Sequence, residues 1–329
     1  MNRRGISGER SCGERSGVVF VLVAAMLGPA ACTLLVDTGD LHGGVTKEGT
    51  DDGGRDAVVT ESGAPEAATD ASTCDDAASA SPECVAKEVP IDGLVLWLRA
   101  DDGVETSDDG RVTEWHDDTS KVRPGYIGAD AKQSDAGAQP LRITDAAGDA
   151  VLFASDDVLE LPPGFDDFSA GLSVFGAVWP QLDDDGYAGT LLALGFPSQQ
   201  DECGRGAELS IRDFGFDYRV ENESLSVAGV LDGRGWDVIS VVQSGWSAQA
   251  TCTFRAPVAL RRADEIKKTG AVVSLTPQLR TGTRIGQSKY FPAEFYRGKL
   301  GELLLYNRTL PDDEASRVSR YLLRRWPRR

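Results

Sequence analysis

The chain has 329 residues, with 34 Lys and Arg against 52 Asp and Glu and a formal net charge of −18. This length fits one large domain or two small ones, and a hydrophobic fraction of 41% is enough to build a core. The acidic balance argues against nucleic acids and anionic membrane surfaces as partners, because both repel a negatively charged protein.

The first 31 residues have the pattern of an export signal. Arginines precede an apolar run at 18–27, and the small residues Gly28, Ala30 and Ala31 follow it. This order predicts a secretory signal peptide over residues 1–31. The apolar run is shorter than the about 20 residues that a membrane-spanning helix needs, so we expect an exported protein.

Cys32 directly follows the small residues that end the signal. Small residues leading into a cysteine resemble the lipobox of bacterial lipoproteins, in which that cysteine is lipidated and becomes the mature N-terminus. The resemblance implies an outer-membrane or cell-surface lipoprotein that contacts the membrane only through this N-terminal lipid anchor. The alternative is ordinary cleavage near Ala31 and secretion of the chain.

Residues 32–88 contain few large apolar side chains and are rich in Asp, Ala, Gly, Ser, Thr and Glu, as in Asp51-Asp52-Gly53-Gly54. Such a segment cannot bury enough apolar surface to offset its chain entropy. We therefore predict a lipidated start followed by a disordered acidic tether over this range.

From Val89 onward the pattern changes to short apolar or alternating runs, separated by turn residues such as Pro163-Gly164 and Asp183 to Gly186. Many short strands without intervening helices predict an all-β sandwich over residues 89–329. The runs of strand length are 94–98, 112–115, 151–153, 158–161, 172–179, 190–194, 208–211, 214–220, 224–227, 238–242, 251–254, 258–260, 271–275, 283–286 and 299–306.

One helix is predicted at the end of the chain. Pro311 fits the first helical position, and the acidic residues 312–314 suit the positive end of the helix dipole. Apolar residues recur on one face at helical spacing, which predicts that the helix packs on the sandwich. That face carries Ala315, Val318, Tyr321, Leu322 and Trp326.

Four cysteines remain after the signal and Cys32, namely Cys74, Cys84, Cys203 and Cys252. An even number in an exported chain predicts two disulfides, with three possible connectivities. Proximity in sequence favours Cys74–Cys84 and Cys203–Cys252. A zinc site is the alternative, but no two of these cysteines have the close spacing typical of zinc ligands.

Four segments together carry a family resemblance, namely Gly93 to Val104, Val112 to Ser120, Phe153 to Leu161 and the C-terminal stretch from Phe295 to Trp326. These segments resemble the laminin-G-like, concanavalin-A-like jelly-roll domains of bacterial surface proteins. The resemblance implies a two-sheet antiparallel jelly roll with one C-terminal helix. It also implies a module that is usually non-catalytic, often binds glycans or proteins, and sometimes holds Ca²⁺.

Aromatic side chains are candidates for sugar binding, because their rings stack on the apolar faces of sugars. Trp97 and Trp115 are predicted to lie in the core. Trp246, Tyr187 and Trp236 are the ligand-binding candidates. Trp246 is the preferred one, since its Ser-Gly-Trp-Ser surroundings are typical of a loop, and loops on a rigid sandwich often form binding sites.

Acidic turns are candidates for a Ca²⁺ site, since Ca²⁺ takes six to eight oxygen ligands. Asp101 and Asp102 form one cluster, and Asp183 and Asp185 belong to another. None of the clusters has the spacing of a known calcium loop, so solvated turns are the alternative interpretation.

Catalytic residues are not evident. His116 is the one imidazole of the predicted domain, and we expect it to have a structural or surface role. Glu208 and Glu302 lack a second acid two residues later, the spacing that points two carboxylates into one cleft. The sequence therefore favours a non-catalytic module that binds a carbohydrate. A surface protein that binds other proteins is the first alternative, and a divergent glycoside hydrolase is the second.

Overall fold

The computed structural model describes residues 88–146, 148–195, 206–246 and 253–328. The predicted signal peptide, Cys32, nearly all of the tether, and the four predicted disulfide cysteines Cys74, Cys84, Cys203 and Cys252 lie outside these residues. Those interpretations remain predictions.

The described residues form an all-β sandwich with a C-terminal helix, as the sequence predicts. Two short helical segments, α1 (Thr119–Val122) and a 3₁₀ turn (Ala136–Ala138), lie between strands. The strands are β1 (Leu94–Arg99), β2 (Val104–Thr106), β3 (Val112–Trp115), β4 (Ala131–Lys132), β5 (Leu141–Asp145), β6 (Gly148–Phe153), β7 (Leu159–Glu160), β8 (Gly171–Pro180), β9 (Gly189–Leu194), β10 (Ala207–Arg212), β11 (Gly215–Val220), β12 (Glu223–Val227), β13 (Asp237–Ser244), β14 (Arg255–Arg262), β15 (Glu265–Val273), β16 (Arg284–Ile285) and β17 (Gly298–Tyr306).

Two antiparallel sheets face each other. The first has the order β15-β14-β13-β8-β17-β6-β5, and β1 pairs with the second half of β17 beside β6. The second has the order β12-β11-β10-β9-β16-β7-β4-β3-β2. Gly176 of β8 and Leu191 of β9 meet between the sheets, where a Cβ added to the glycine would lie 3.5 Å from the leucine side chain.

Burial explains why the central strands have nearly continuous apolar sequences. Nine of the ten residues of β8 are buried, since β8 faces the second sheet on one side and the C-terminal helix on the other. The edge strands β12 and β15 are more exposed and more polar. Trp97 and Trp115 lie in the core, as predicted.

The C-terminal helix, α2 (Asp312–Arg325), buries the predicted face through Ala315, Val318, Tyr321 and Leu322. The prediction for Pro311 is off by one residue. Pro311 has extended ψ and precedes the helix as its N-cap, and its carbonyl accepts the first helical hydrogen bond from Ala315 N at 2.9 Å.

The short strands β2 and β4 were not evident in the sequence, because so few residues cannot show a period of two. Strand β5 does alternate, as Leu141-Arg142-Ile143-Thr144, and the prediction missed it. The predicted strand at 251–254 is not formed at Thr253 and Phe254, and its first two residues lie outside the described range. Across the described residues, no helix has the length and apolar character needed to cross a bilayer.

Candidate functional site

An open cleft of about 500 Å³ lies at one end of the sandwich, which is within the size range typical of small-ligand sites. It is formed between the loop from α1 to β4, the loop from β7 to β8, and the chain at the start of β1 and the end of β17. Its lining residues are Val95, Arg123, Tyr126, Ile127, Gly128, Ala129, Pro162, Pro163, Gly164, Phe165, Asp166, Asp167 and Asn307.

The loop at 162–167 is held in an unusual conformation. Phe165 has a φ of 52°, in the left-handed region of backbone conformation that residues other than glycine seldom adopt. The backbones of Gly164 and Arg280 exchange two hydrogen bonds of 3.1 Å on one side of this loop. Strain of this kind persists only where surrounding contacts enforce it, and it is found often at ligand sites.

Arg280 supplies those contacts from inside the protein. Its side chain is fully buried, and its guanidinium donates to the carbonyls of Phe165 at 2.7 Å and Thr276 at 2.9 Å. It also lies 5.0 Å from the ring centroid of Phe168. Burial lowers the pKa of Arg280 to about 10, so it remains a cation at neutral pH. The loop is therefore fixed before any ligand arrives.

Tyr126 lines the cleft from the loop between α1 and β4. Its hydroxyl donates to Val95 O at 2.8 Å, and the guanidinium carbon of Arg123 lies 4.9 Å from its ring centroid. Arg123 itself donates to Leu94 O. The neighbouring Ile127 is 90% exposed, which places a large apolar side chain at the rim. This wall presents apolar surface in a fixed orientation.

Polar acceptors lie beside these apolar surfaces. Asp166 and Asp167 are exposed, and Asn307 is half-buried. Hydrogen bonds from Ser169 lower the pKa of Asp167, whose Oδ1 accepts from Ser169 N at 2.8 Å. A ligand with both an apolar face and hydroxyl donors would find partners for both in this cleft.

The three aromatic candidates from the sequence lie outside the lining of this cleft. Trp236 is 2% exposed and packs against Trp179 and Trp326, with ring centroids 6.0 and 4.6 Å away. It therefore belongs to the core and has no open ring face for a sugar. Its neighbours along the chain look like a loop, but tertiary packing buries the ring.

Tyr187 and Trp246 are both half-buried. Burial and the nearby Glu294 raise the pKa of Tyr187 to about 12, and Arg212 lies 5.9 Å from its ring centroid. The backbone N–H of Trp246 donates to Ser169 O at 2.8 Å, just beyond the loop that forms one cleft wall. The part of the Trp246 loop from residue 247 lies outside the described residues.

Cations of the protein itself already pair with the first acidic cluster. Asp101 accepts from Arg99 at 3.1 Å and from Arg325 at 2.5 Å. Asp102 accepts from Lys121 at 2.8 Å. In the second cluster, Asp183 Oδ1 accepts from the backbone N–H groups of Asp185 and Tyr187, which shapes the turn. Ca²⁺ binding at Asp101, Asp102, Asp183 and Asp185 stays a prediction.

Glu208 and Glu302 are buried in different sheets and are engaged by structural donors. Glu208 Oε1 accepts from Ser288 Oγ and from two backbone N–H groups. Glu302 accepts from Trp97, Tyr321 and Trp326. Burial raises the pKa of both carboxyl groups. Neither lies among the residues that line the cleft.

Sequence reasoning missed Tyr126, Phe165 and their acidic neighbours. A signal for them exists, because each aromatic residue directly follows a Pro-Gly pair, as Pro124-Gly125-Tyr126 and Pro163-Gly164-Phe165. Pro-Gly marks a turn, and an aromatic residue next to a surface turn is a candidate for ligand contact. That the two turns meet in space is decided by the fold alone.

No family model matches the chain, and no curated protein matches it. Among solved structures it is similar to a Trypanosoma rangeli sialidase in complex with the inhibitor DANA, at 14% identity and a TM-score of 0.44, over 70% of this chain and 33% of that one. It is also similar to the binding domain of Paraclostridial Mosquitocidal Protein 1, at 11% identity and a TM-score of 0.45, over 70% of this chain and 52% of that one.

A third similar structure is the receptor binding domain of botulinum neurotoxin D, at 12% identity and a TM-score of 0.45, over 71% of this chain and 54% of that one. The chain spans about a third of the sialidase and about half of each toxin chain that it matches.

Proposed function

We propose that this protein is a non-catalytic binding module that takes a neutral carbohydrate in the cleft between Tyr126 and Phe165. The observation that carries the proposal is the combination of two fixed aromatic walls with exposed oxygen acceptors in one cleft of about 500 Å³. We also propose that the sandwich is a domain of the laminin-G-like, concanavalin-A-like type. Its N-terminal and C-terminal segments form β1, β3, β17 and α2 of the sandwich.

The charges of the cleft favour a neutral ligand. Arg123 is the one cation among the described lining residues, and it donates to a backbone carbonyl and covers the Tyr126 ring. Asp166 and Asp167 are exposed carboxylates that would repel an anion. The same carboxylates accept hydrogen bonds from sugar hydroxyls, and charged acceptors form stronger hydrogen bonds than neutral ones.

The fixed geometry of the cleft also favours binding. The Arg280 contacts hold the Phe165 loop, and the Val95 hydrogen bond holds Tyr126. A ligand that enters such a site does not have to order it, so less of the interaction energy is lost to entropy.

The first experiment is glycan-array binding of the full chain, followed by titration of the best glycan. We expect Tyr126→Ala and Phe165→Ala each to weaken binding at least about tenfold, which is about 1.4 kcal/mol. Phe291→Ala is the matched control, because it removes an exposed phenyl ring outside the cleft lining and should leave the affinity unchanged.

Three results would contradict this proposal. Equal binding by the wild type and both cleft variants would place the sugar elsewhere, and Trp246 would be tested next. If the folded wild-type chain binds none of the neutral glycans on the array, the protein-binding alternative would be favoured. Release of a cleaved sugar from a bound glycan would revive the hydrolase.

A further inference from the structure

Three neighbouring strands bring a histidine and several carboxylates together at the edge of the second sheet. Strands β3 and β4 pair with Glu114 opposite Lys132 and Trp115 opposite Ala131, so the next position along places His116 near Asp130. Strand β2 places Glu105 opposite Glu114, and His116 N donates to Gly103 O at 2.8 Å. Glu114 lies on β3, whereas His116 directly follows β3 and Asp130 directly precedes β4, so the backbone pairing of these strands positions the group.

The distances within the group fit a metal ion. His116 Nδ1 lies 3.5 Å from Glu114 Oε1 and 3.5 Å from Asp130 Oδ2. The ligand atoms of the three residues all lie within 4.8 Å of one another. A tetrahedral Zn²⁺ with bonds of about 2.1 Å holds its ligand atoms about 3.4 Å apart. These two separations therefore match the edges of such a site, whereas they are long for hydrogen bonds.

Contacts around the group orient its ligand atoms. His116 Nε2 lies 3.0 Å from Glu105 Oε1. In the tautomer whose Nε2–H donates a hydrogen bond to Glu105, the lone pair of Nδ1 faces the carboxylates of Glu114 and Asp130. A carboxylate on the far nitrogen is the usual partner of a metal-binding histidine, because it fixes the tautomer and the ring orientation. Asp130 is oriented in the same way, since its Oδ1 accepts from Asp117 N at 2.9 Å.

We propose that Glu114, His116 and Asp130 bind a divalent transition-metal ion, with Zn²⁺ as the best fit and water completing the coordination. The imidazole nitrogen favours such a metal over Ca²⁺ or Mg²⁺, which take oxygen ligands. The three side chains are only half-buried, so a water ligand can reach the ion from solvent.

Lys132 is the competitor of the metal. Its ammonium lies 2.7 Å from Glu114 Oε1, the oxygen that faces His116. The Lys132 side chain is 60% exposed on a flexible stem, so it can turn into solvent when an ion binds. Removal of this positive charge should therefore strengthen metal binding.

The metal site adjoins the cleft described above. Asp130 directly follows Gly128 and Ala129, which line the cleft in the same loop as Tyr126. An ion that joins Asp130 to β3 would restrain the end of this loop. The metal proposal itself rests on the three ligands and does not require that the cleft bind a carbohydrate.

The test is calorimetric titration of the metal-stripped full chain with Zn²⁺ after its thiols have been alkylated. We expect one equivalent to bind and to raise the melting temperature by mass action. His116→Gln should abolish this binding, while His42→Gln, which removes the other histidine of the chain, should leave it unchanged. Glu105→Gln keeps all three ligands and should weaken binding about 10- to 100-fold.

Lys132→Ala should bind Zn²⁺ more tightly than the wild type, a gain that misfolding would not produce. Co²⁺ should give a visible d–d absorption in the wild type that His116→Gln lacks, and Ca²⁺ should not compete. The proposal is overturned if the wild type binds no Zn²⁺, or if folded His116→Gln binds it as tightly as the wild type.

Discussion

At the scale of single residues, Asp101 shows how one carboxylate joins distant parts of the chain. It lies in the turn after β1 and accepts hydrogen bonds from Arg99 and from Arg325 in the last turn of α2. Burial alone would raise its pKa, but Arg325 and Arg99 outweigh burial and lower the pKa of Asp101 below the ordinary value. The ion pair favours the ionised form in the folded state.

We expect Asp101→Asn to destabilise the protein above about pH 4, by about 0.5–1 kcal/mol, because the carboxylate is 36% exposed and partly screened. Since the folded pKa is lowered, the stabilisation is present above the unfolded pKa and is lost as the pH falls through the folded pKa. The difference from wild type should therefore vanish at low pH. Urea unfolding of both proteins at pH values from about 2 to about 7 measures this difference in the free energy of unfolding.

Asp184→Asn is the control for this pH series, because Asp184 is an exposed acid in a turn. If the difference in the free energy of unfolding between wild type and Asp101→Asn stays constant down to the lowest pH, that result would contradict the assignment of the ion pair. The gap at neutral pH should also narrow in high salt.

At the scale of elements, Glu302 fixes α2 to the first sheet. It lies on β17, and its Oε1 accepts from Trp97 Nε1 at 2.6 Å and from Tyr321 Oη at 3.0 Å. Its Oε2 accepts from Trp326 Nε1 at 3.0 Å and lies 3.2 Å from Arg325 Nε. Donors from β1 and from two turns of the helix therefore converge on one buried carboxylate.

We predict that Glu302→Gln lowers the free energy of unfolding by about 3–5 kcal/mol, because it leaves Arg325 without its buried anion. The amide nitrogen would also face N–H and O–H donors that it cannot accept from. Denaturant unfolding followed by tryptophan fluorescence measures this loss. Tyr321→Phe removes a single donor and should cost about 1 kcal/mol, so similar losses for the two variants would contradict the central role of Glu302.

At the scale of the whole molecule, the first and last strands of the described chain are neighbours. Strand β1 pairs with β17 from Leu94–Tyr306 to Arg99–Glu302, and β17 also pairs with β8. The sandwich therefore closes only when its C-terminal strand is in place. The predicted boundary between a tether and this closed unit, at residues 88 and 89, stays a prediction.

For the N-terminal part we propose export and lipidation at Cys32, supported by the small residues before it. The expected result is that the full chain, expressed in a bacterium, partitions into a detergent phase, because several acyl chains bind a membrane stably. Cys32→Ser should move it to the aqueous phase, and Cys12→Ser is the matched control. A wild-type protein found wholly in the aqueous phase would favour secretion instead.

The sequence by itself determined the fold class and most of the long strands of this protein. Apolar runs between turn signals mark strands such as β8, β9, β13 and β17. A strand that is buried on both faces needs this composition whichever strands it pairs with, so the sequence alone reveals it. Helix α2 carried its own signal as well, because its apolar spacing and end charges are local properties.

The tertiary structure alone decided where the functional groups meet. The residues next to Trp236 in sequence are typical of a loop. Its ring is nevertheless buried, because Trp179 and Trp326, which are distant in sequence, pack against it. Tyr126 and Phe165 are 39 positions apart in sequence and form one cleft, and Asp130 reaches His116 only through the register of β3 and β4. Local pattern predicts what an element is, whereas long-range pairing decides which side chains it brings together.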